Sequence, residues 1–366
     1  MKIGDICSYA PKSQIKAGEA KENAKYMFFT SSMEVDKRYD DYQIDGEGII
    51  MGTGGRATIH YYSGKFSTST DCVVLQTNSK IRCKYLYYFL KANINILEAG
   101  FKGAGLKHTN KAYISDIKID RIPPFNDQDK VIETLDLLQN VIRNREMELD
   151  RLNELIKARF VEMFGDPVAN NKEWEVKKLK DISVQINSGN TPKGGSENYV
   201  NEGIIFFRSQ NVWKNHLEME DIAYIDEVTH KKMYRSSLKY GDILMTKTGR
   251  MNTENSSLGR AALYLGEDDK ANVNGHVYFI RLKSEVNNKF VLRILTSPEY
   301  RDLIRSVCVG GIDKRQLNKE HIENFPIIYP PSYMVNEYVL FADQVDKSKL
   351  SKQKIAEKNI VQKGNT

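Results

Sequence analysis

The chain has 366 residues, more than one compact core usually holds, so the sequence predicts two domains with connecting segments. Hydrophobic residues make up 40% and charged residues 28%, a balance that excludes an intrinsically disordered chain. The formal net charge is +6, divided as +5 in residues 1–124, −4 in 125–166, +3 in 167–331 and +2 in 332–366. Two basic segments around an acidic connector are compatible with a polyanionic partner.

Membrane and secretion signals are not found in the sequence. No run of 18 apolar residues occurs, and the N-terminal segment has no apolar core of a signal peptide. The cysteines Cys7, Cys72, Cys83 and Cys308 are far apart and form no CxxC pair. This distribution argues against a zinc ribbon or a redox pair and fits free thiols in a reducing cytoplasm. We therefore expect no membrane association and a cytoplasmic location.

The first basic segment, residues 1–124, is predicted to be a mixed α/β lobe with a helical stretch at 84–97. A central helix should follow, because residues 126–163 contain no Pro or Gly. Its apolar positions recur every three or four residues, with Arg145 in one expected apolar slot, which is typical of a coiled-coil helix. Asn126 and Asp127 are the expected N-cap, and Gly165-Asp166-Pro167 the expected end.

The second basic segment, residues 167–331, is predicted to be a second α/β lobe. Its β-rich runs lie at 204–208, 242–246 and 277–282, and a helical stretch is expected at 288–305. Residues from about 332 to 362 predict a second helix with a weaker apolar stripe, which Lys349 and Lys352 interrupt. We expect the two long helices to pair antiparallel and to hold the lobes apart; the alternative is that each packs on its own lobe.

The chain repeats itself. Six pieces recur in the same order in the two lobes: residues 2–7 (KIGDIC) with 178–183 (KLKDIS), 48–53 (GIIMGT) with 241–246 (GDILMT), 57–64 (ATIHYYSG) with 260–266 (RAALYLG), Cys72-Val73 with His276-Val277, 85–91 (YLYYFLK) with 290–296 (FVLRILT), and 103–108 (GAGLKH) with 310–315 (GGIDKR). Each copy then ends in a Pro-Pro pair. Two copies predict a pseudo-two-fold molecule, which is the symmetry used to read two DNA half-sites.

Taken together, these features resemble the specificity subunit of a type I restriction-modification system. The resemblance rests on the duplication, the helical spacers and the following segments: 179–182, 189–192 (GNTP), 203–212 (GIIFFRSQNV), 241–244, 310–315 and 164–167 (FGDP). It implies two target-recognition lobes, each reading half of a split site in double-stranded DNA, and a helical spacer that sets the distance between the halves. The first lobe departs from the family's pattern, because it has no clear counterpart of Gly-x-Thr-Pro or of Arg-Ser-x-Asn-Val.

The resemblance also implies partners. These are two modification subunits, which methylate adenine with S-adenosylmethionine, and restriction subunits, which translocate and cleave DNA. No cofactor is then expected in this chain, while S-adenosylmethionine, ATP and Mg are expected on the partner subunits. The apolar positions of the central helix are the expected partner contacts: Leu135, Leu138, Ile142, Leu149, Leu152 and Ile156. The alternative function is a scaffold that docks partners through its helices without reading DNA.

Catalytic motifs are not found in the sequence. Ile122-Pro-Pro-Phe125 and Tyr329-Pro-Pro-Ser332 lack the polar first residue that amino-group methylation requires, and no Gly-rich cofactor loop follows a strand. The densest acidic cluster, Glu267–Lys270, is interpreted as a solvated turn, and no Walker A sequence occurs. The six histidines have no metal-ligand spacing. We therefore expect a non-catalytic chain without a metal site.

The candidates for DNA contact lie in loops. Arg208-Ser-Gln-Asn211 closes a β-run with side chains that pair guanine or adenine in the major groove. Lys247-Thr-Gly-Arg250 and Thr53-Gly-Gly-Arg56 follow strands at equivalent points of the two lobes. Flexible Gly-rich loops with cations suit phosphate. The predicted DNA-binding residues are Thr53, Arg56, Lys107, Lys193, Arg208, Gln210, Asn211, Lys247, Thr248, Arg250, Lys314 and Arg315.

Overall fold

The structure, a computed structural model, describes residues 1–251, 253, 256–311 and 314–364, with side chains as far as Lys349. Its elements mix helices with strands, which confirms the predicted α/β class. None of the described helices is apolar enough over 18 residues to cross a membrane.

Two compact units make up the chain: a first unit, Met1–Met147, and a second unit, Glu148–Thr366. The boundary between them falls inside the central helix. The division into lobes at 1–124 and 167–331, with helical segments at 125–166 and 332–366, therefore stays a prediction.

The first unit is built on one six-stranded sheet. Its strands are β1 (Cys7–Tyr9), β2 (Tyr26–Phe29), β3 (Arg38–Tyr39), β4 (Ile44–Gly52), β5 (Ile59–Thr68) and β6 (Cys72–Thr77), and its helices are α1 (Cys83–Ala92), α2 (Ile94–Glu98) and α3 (Lys111–Asp116). The strand order is β1-β6-β4-β5-β2-β3, and only β2 and β5 run parallel. Ile49 and Leu75 pair across β4 and β6 and pack with Leu86 and Leu90 of α1; all four are fully buried.

The central helix, α4 (Phe125–Phe164), is continuous over 40 residues. Its expected N-cap at Asn126 and Asp127 is wrong. The carbonyl of Pro124 accepts a hydrogen bond from Gln128 N at 3.0 Å, so the helix begins at Phe125. The end is as predicted: Gly165 has a left-handed φ of 76° and donates its N–H to the carbonyl of Val161 at 2.9 Å.

The second unit holds the remaining elements. Its strands are β7 (Val176–Lys178), β8 (Ser183–Ser188), β9 (Ile204–Phe207), β10 (Ala223–Ile225), β11 (Ile243–Thr246), β12 (Thr248–Gly249), β13 (Ala261–Leu263), β14 (Ala271–Val273), β15 (Val277–Leu282), β16 (Val309–Gly310), β17 (Arg315–Gln316) and β18 (Pro326–Ile328). Its helices are α5 (Glu227–Lys232), α6 (Asn288–Leu295), α7 (Pro298–Val307), α8 (Lys319–Glu323) and α9 (Ser332–Gly364).

The sheets of the two units confirm the duplication. The order β1-β6-β4-β5 of the first unit recurs as β8-β15-β11-β13 in the second. The parallel pair β2–β5 recurs as β9–β14. The register corrects the sequence alignment by one residue, however. Gly52 pairs with Cys72 as Thr246 pairs with Val277, so Gly52 rather than Thr53 is the equivalent of Thr246.

The predicted helical stretches at 84–97 and 288–305 are confirmed, and each consists of two consecutive helices. In the first unit Asn93 separates α1 from α2, with φ −112° and ψ 40° and its side-chain amide bonded to the carbonyl of Phe89 at 2.8 Å. In the second unit Ser297 caps α7 by accepting from Tyr300 N at 3.1 Å, and Pro298 follows it. A proline cannot continue the preceding helix, because its ring removes the N–H.

The end of α4 and the beginning of α9 pair antiparallel within the second unit. The ring centroids of Phe160 and Tyr338 are 5.4 Å apart, and farther along Lys349 Nζ donates to Asn153 Oδ1 at 2.7 Å. Residue numbers fall along α4 as they rise along α9, so the predicted antiparallel pairing is confirmed here. The pair also packs on the core of the unit, since the rings of Phe164 and Phe290 are 5.0 Å apart. Pairing with each other and packing on the lobe are therefore not exclusive.

The predicted apolar stripe of α9 continues with Leu350, Ile355 and Ile360, whose side chains lie outside the described residues. Whether the two long helices hold the lobes apart stays a prediction.

A buried ion pair joins Asp242, the residue directly before β11, to Arg281 of β15. The carboxylate of Asp242, 1% exposed, accepts hydrogen bonds from Arg281 Nε at 2.9 Å and from Arg281 Nη2 at 2.7 Å. It also accepts from Lys239 N at 2.8 Å. Burial raises the pKa of Asp242, and Arg281 opposes that effect. The charged pair is thus held in a place where a lone charge would be costly.

We predict that Asp242→Ala destabilises the second unit by about 3–5 kcal/mol, because it leaves the Arg281 guanidinium without its carboxylate. Denaturant unfolding followed by tryptophan fluorescence measures this, since both tryptophans, Trp174 and Trp213, lie in the second unit. The control is Asp302→Ala, whose carboxylate is 72% exposed and 3.7 Å from Arg305; it should change stability by less than about 1 kcal/mol. Equal effects of the two substitutions would contradict the prediction.

Candidate nucleic-acid interface

In the second unit, several loops come together at one edge of the central sheet. The segment 274–277 joins three of them through backbone hydrogen bonds: Gly189 N to Val277 O at 3.1 Å, Asn274 N to Phe207 O at 2.9 Å and Lys247 N to His276 O at 2.8 Å. The loops after β8, β9 and β11 therefore lie side by side. They carry the predicted residues Lys193, Arg208, Gln210, Asn211, Lys247, Thr248 and Arg250.

A hairpin adds the last predicted residues to this edge. Strand β17 pairs with β12, with Thr248 opposite Gln316 and Gly249 opposite Arg315. On its other side β17 pairs with β16, and Leu317 N donates to Lys247 O at 2.9 Å. Lys314 and Arg315 are thereby placed next to Lys247, Thr248 and Arg250, although they lie more than 60 positions away in the sequence.

The first unit repeats this arrangement. Thr53 N donates to Asp71 O at 2.8 Å, as Lys247 N does to His276 O. Gly55 N donates to Lys107 O at 2.9 Å, and Thr109 N donates to Thr53 O at 3.0 Å. The predicted residues Thr53, Arg56 and Lys107 are therefore brought together. We call the joined loops of each unit its loop edge: 30–32, 53–56, 69–71 and 102–109 in the first unit, and 189–193, 208–210, 247–250, 274–276 and 309–316 in the second.

Glycine is required at one position of each hairpin. Gly103 has φ +147° and Gly310 has φ +120°, in the region that side chains rarely adopt. A Cβ on Gly310 would lie 2.5 Å from the carbonyl oxygen of Lys314, and a Cβ on Gly103 would lie 3.0 Å from that of Leu106. The glycine that opens both Gly-x-x-x-Lys segments, 103–107 and 310–314, thus has a steric cause. Ile312 and Asp313 of the second hairpin lie outside the described residues.

The loop edges carry exposed cations. Arg56 and Lys107 are exposed in the first unit, and Lys193, Arg250 and Lys314 in the second. Two other predicted residues are more confined. The ammonium of Lys247 lies 5.8 Å from the centre of the Tyr278 ring, and Arg315 is half-buried, with its Nη1 3.4 Å from the carbonyl oxygen of Cys308. An anionic backbone would meet these exposed cations first.

The Arg208–Asn211 segment is held by bonds within the chain. The guanidinium of Arg208 lies 3.1 Å from Asp221 Oδ2, and Gln210 Nε2 donates to the same oxygen at 2.8 Å. These contacts, first that of Gln210 and then that of Arg208, lower the pKa of the Asp221 carboxyl. Asn211 is 0% exposed and donates to Asp221 O at 2.9 Å while accepting from Arg208 N at 3.0 Å.

Because of these bonds, the predicted residues Arg208, Gln210 and Asn211 differ in how accessible their side chains are to DNA. Asn211 uses its amide to close the loop, so the geometry gives it a structural task rather than a base contact. Arg208 is 19% exposed at its side chain, whereas Gln210 is exposed. A DNA contact by any of them stays a prediction, and Gln210 is the best placed to make one.

The structure reveals a loop in the first unit that sequence analysis missed. Phe29 pairs with Thr68 as Phe207 pairs with Val273, and Ser69 N donates to Phe29 O at 2.8 Å. The residues after Phe29 are therefore equivalent to those after Phe207: Thr30 to Arg208, Ser31 to Ser209 and Ser32 to Gln210. The two segments share Phe-Phe-x-Ser, at 28–31 and 206–209, but the first has no counterpart of the side chains of Arg208 and Asn211.

The predicted partner-contact positions of α4 differ in exposure. Ile142 is 49% exposed, and Leu135, Leu138, Leu149 and Leu152 are half-buried. Ile156 is 6% exposed in the core of the second unit, where it packs with Phe160 and Val339. Ile156 is therefore not available to another subunit, because at this position the apolar face of α4 packs into the core of its own unit.

In the described part of the chain, no group of three or more His, Cys, Asp and Glu residues could hold a metal ion. The acidic turn at 267–270 is tied down within the chain, since Asp268 Oδ1 accepts from Tyr240 N and Asp269 Oδ1 from Ser237 Oγ, both at 2.7 Å.

Comparison with a family model gives a match over most of the chain. The model of the type I restriction modification DNA specificity domain matches residues 1–155 and 171–358.

Among curated proteins, the chain is 24% identical over 276 residues to the type I restriction enzyme MjaVIII specificity subunit of Methanocaldococcus jannaschii, covering 72% of this chain and 63% of that protein. It is 24% identical over 176 residues to the EcoDI specificity subunit of Escherichia coli, covering 48% and 39%. It is 24% identical over 323 residues to the putative specificity subunit S.HindORF215P of Haemophilus influenzae, covering 84% and 77%. The chain thus spans less than two thirds of the first two relatives.

Solved structures share the fold. The type I restriction-modification S subunit from M. genitalium superposes with a TM-score of 0.59 at 16% identity, covering 98% of this chain and 93% of that one. A chain from a study of complex assembly and conformational transition of the type I R-M system gives a TM-score of 0.52 at 14% identity, covering 99% and 93%. At these identities the likeness shows a common architecture.

We predict that Gly310→Ala opens the hairpin of the second loop edge, because the added Cβ meets the Lys314 carbonyl and the left-handed φ costs about 1–3 kcal/mol. Hydrogen–deuterium exchange of the peptide 309–317 should become roughly tenfold faster or more. Gly311→Ala is the matched control, since a Cβ there has no heavy atom within 4 Å and the φ is not left-handed. The same exchange in both variants would show that the hairpin does not need this glycine.

Proposed function

This chain belongs to the type I restriction modification DNA specificity family, and from that premise we propose that it reads double-stranded DNA and sets the sequence specificity of a type I restriction-modification complex. The observation that carries the proposal is the recurrence of one loop edge in both units. In each unit equivalent backbone bonds join one loop to a Gly-rich hairpin: the loop 53–56 after β4 in the first unit, and the loop 247–250 after β11 in the second. Two equivalent edges suit the two halves of a split site.

The exposed cations and the polar side chains would have separate tasks at the DNA. Arg56, Lys107, Lys193, Arg250 and Lys314 would neutralise phosphates, which provides most of the affinity without reading sequence. The exposed amide of Gln210 would read a base edge, and its bond to Asp221 limits its rotamers before DNA binds. In the first unit the equivalent position is Ser32, which is shorter and would reach a different base.

The chemistry of the complex would belong to partner subunits. We infer two modification subunits that methylate adenine with S-adenosylmethionine, and restriction subunits that use ATP and Mg, with no cofactor on this chain. The exposed or half-buried residues Leu135, Leu138, Ile142 and Leu149 of α4 would contact partners. The relatives' names as specificity subunits support this division of labour. A cytoplasmic site of action fits the four free cysteines and a DNA substrate.

Selection from randomised duplexes tests the proposal, with the chain co-expressed with its modification subunit and binding measured at several salt concentrations. A split motif is the expected result. Stable assembly with the modification subunit but no binding to any duplex would instead favour a scaffold that docks partners without reading DNA, to which the comparisons lend no support.

We predict that Arg56→Ala and Arg250→Ala each weaken binding to all sequences alike. Each should reduce the slope of log K against log[salt] by about 1 in magnitude, because one phosphate contact is lost. The matched control is Lys231→Ala, which removes an exposed cation from α5, away from the loop edge. Unchanged slopes for both arginine variants would rule out these phosphate contacts.

We predict that Gln210→Ala relaxes base preference in one half of the split site by about 1–3 kcal/mol at one position and leaves the other half unaltered. Ser32→Ala should act only on the other half. Binding of single-base variants of the selected motif measures both effects. A uniform loss of affinity over all variants would mean that Gln210 acts on the loop's conformation and does not read a base.

A further inference from the structure

In the second unit, a carboxylate from outside the loop edge holds the loop that follows β9. The backbone carbonyl of Asp221 accepts hydrogen bonds from Arg208 Nη2 at 2.5 Å and from Asn211 Nδ2 at 2.9 Å. The side chain of Asp221 reaches the same loop, since its Oδ2 accepts from Gln210 Nε2 at 2.8 Å. Asp221 is therefore fixed by its main chain beside the exposed amide of Gln210.

The main chain of Gln210 is held as well, by a residue that the sequence analysis did not single out. The indole Nε1 of Trp213 donates to the carbonyl of Gln210 at 3.0 Å. The guanidinium of Arg260 lies 3.8 Å from the centre of the Trp213 ring, within the range of a cation–π contact. Both the backbone and the amide of Gln210 are therefore placed before DNA binds, which reduces the ordering that binding requires.

The bond to Asp221 also decides which way the amide of Gln210 faces. Gln210 and Arg208 lower the pKa of the Asp221 carboxyl, so this group is ionised at neutral pH and can only accept. A flipped amide would turn its carbonyl oxygen toward the carboxylate, where two acceptors would repel each other. Among the described residues, the side chain of Gln210 makes this one hydrogen bond. One N–H and the carbonyl oxygen thus remain for DNA.

On the premise of the proposed function, we propose that Gln210 reads an adenine and that Asp221 makes it reject guanine. In the major groove adenine presents the N7 acceptor beside the N6 amino donor, which one N–H and one carbonyl oxygen match. Guanine presents two acceptors, N7 and O6, and a match would need both N–H groups of the amide. Because Asp221 takes one of them, the amide oxygen would face a guanine acceptor. Asp221 is thus a positioning residue, which sets specificity without touching a base.

The first unit lacks both members of this pair. Arg38 of β3 is equivalent to Tyr224 of β10, because each pairs with the matching residue of the neighbouring strand. Val35 lies three positions before Arg38, as Asp221 does before Tyr224, so a valine takes the place of the carboxylate. Ser32 already takes the place of the amide. The amide and the carboxylate are thus present together in one unit and absent together from the other, as expected if they act as a pair.

Binding of the selected split site tests this pair, with the chain in complex with its modification subunit. Adenine and guanine are compared at the position whose preference Gln210→Ala relaxes. The wild type should prefer adenine there, and Asp221→Asn should lower that preference about fivefold or more. An amide in place of the carboxylate can donate as well as accept, so it lets Gln210 flip. The backbone bonds of Asp221 to the loop do not depend on its side chain and stay in this variant.

Two further variants control for charge and for the route of the effect. Glu220→Gln removes the same charge from the exposed neighbouring residue and should leave the preference unchanged. The double variant Gln210→Ala/Asp221→Asn should match Gln210→Ala alone, because the effect of Asp221 runs through that amide. A further change in the double variant would show that Asp221 acts by another route and would contradict the proposal. Tryptophan fluorescence melting checks that each variant keeps the second unit folded.

Three other results overturn the proposal while the proposed function stands. They are a split motif with a guanine–cytosine pair at this position, no position that Gln210→Ala relaxes, and equal effects of Asp221→Asn and Glu220→Gln. Recovery of no split motif at all would instead reject the proposed function, and the reading of adenine with it.

Discussion

The candidate interface depends on hydrogen bonds between backbone groups. In both units the first residue of the cationic loop accepts, through its backbone carbonyl, a hydrogen bond from the segment after the Gly-rich hairpin: Thr109 N donates to Thr53 O, and Leu317 N donates to Lys247 O. Backbone bonds do not depend on side-chain identity. The two copies can therefore keep one geometry while their loop residues diverge, as Ser32 and Gln210 have. For a protein that reads two different half-sites, this separates the framework from the specificity.

The aromatic cluster of the second unit fixes the ends of the two long helices. Phe160 and Phe164 of α4 contact Tyr338 of α9 and Phe290 of α6, with ring centroids 5.0–5.8 Å apart for four of these pairs. Aromatic rings bury large areas and prefer tilted arrangements, so a cluster of this kind holds helix orientation well. The same cluster explains why the apolar stripe of α4 changes its task along the helix. Ile142 is half exposed, whereas Ile156 is inside the core of its unit.

Charge has two different roles in this chain. The ion pair of Asp242 with Arg281 is buried and ties two strands of the sheet together. The cations of the loop edges are exposed to solvent, where phosphate groups can reach them. Net charge alone, at +6, could not have separated these roles, because it counts each cation equally.

The sequence by itself determined the α/β class, the duplication, the long helix and the end of that helix at Gly165. The reason is that apolar periodicity and helix-terminating residues act over a few neighbouring positions. It also singled out Thr53–Arg56 and Lys107, but as separate candidates. Only the tertiary structure decided that these segments touch, that Asn211 is buried in its own loop, and that Thr30–Ser32 is the counterpart of Arg208–Gln210. The physical reason is that strand register and burial are set by pairing between distant parts of the chain. A polar residue in a loop has the same local pattern whether its amide faces solvent or closes a turn.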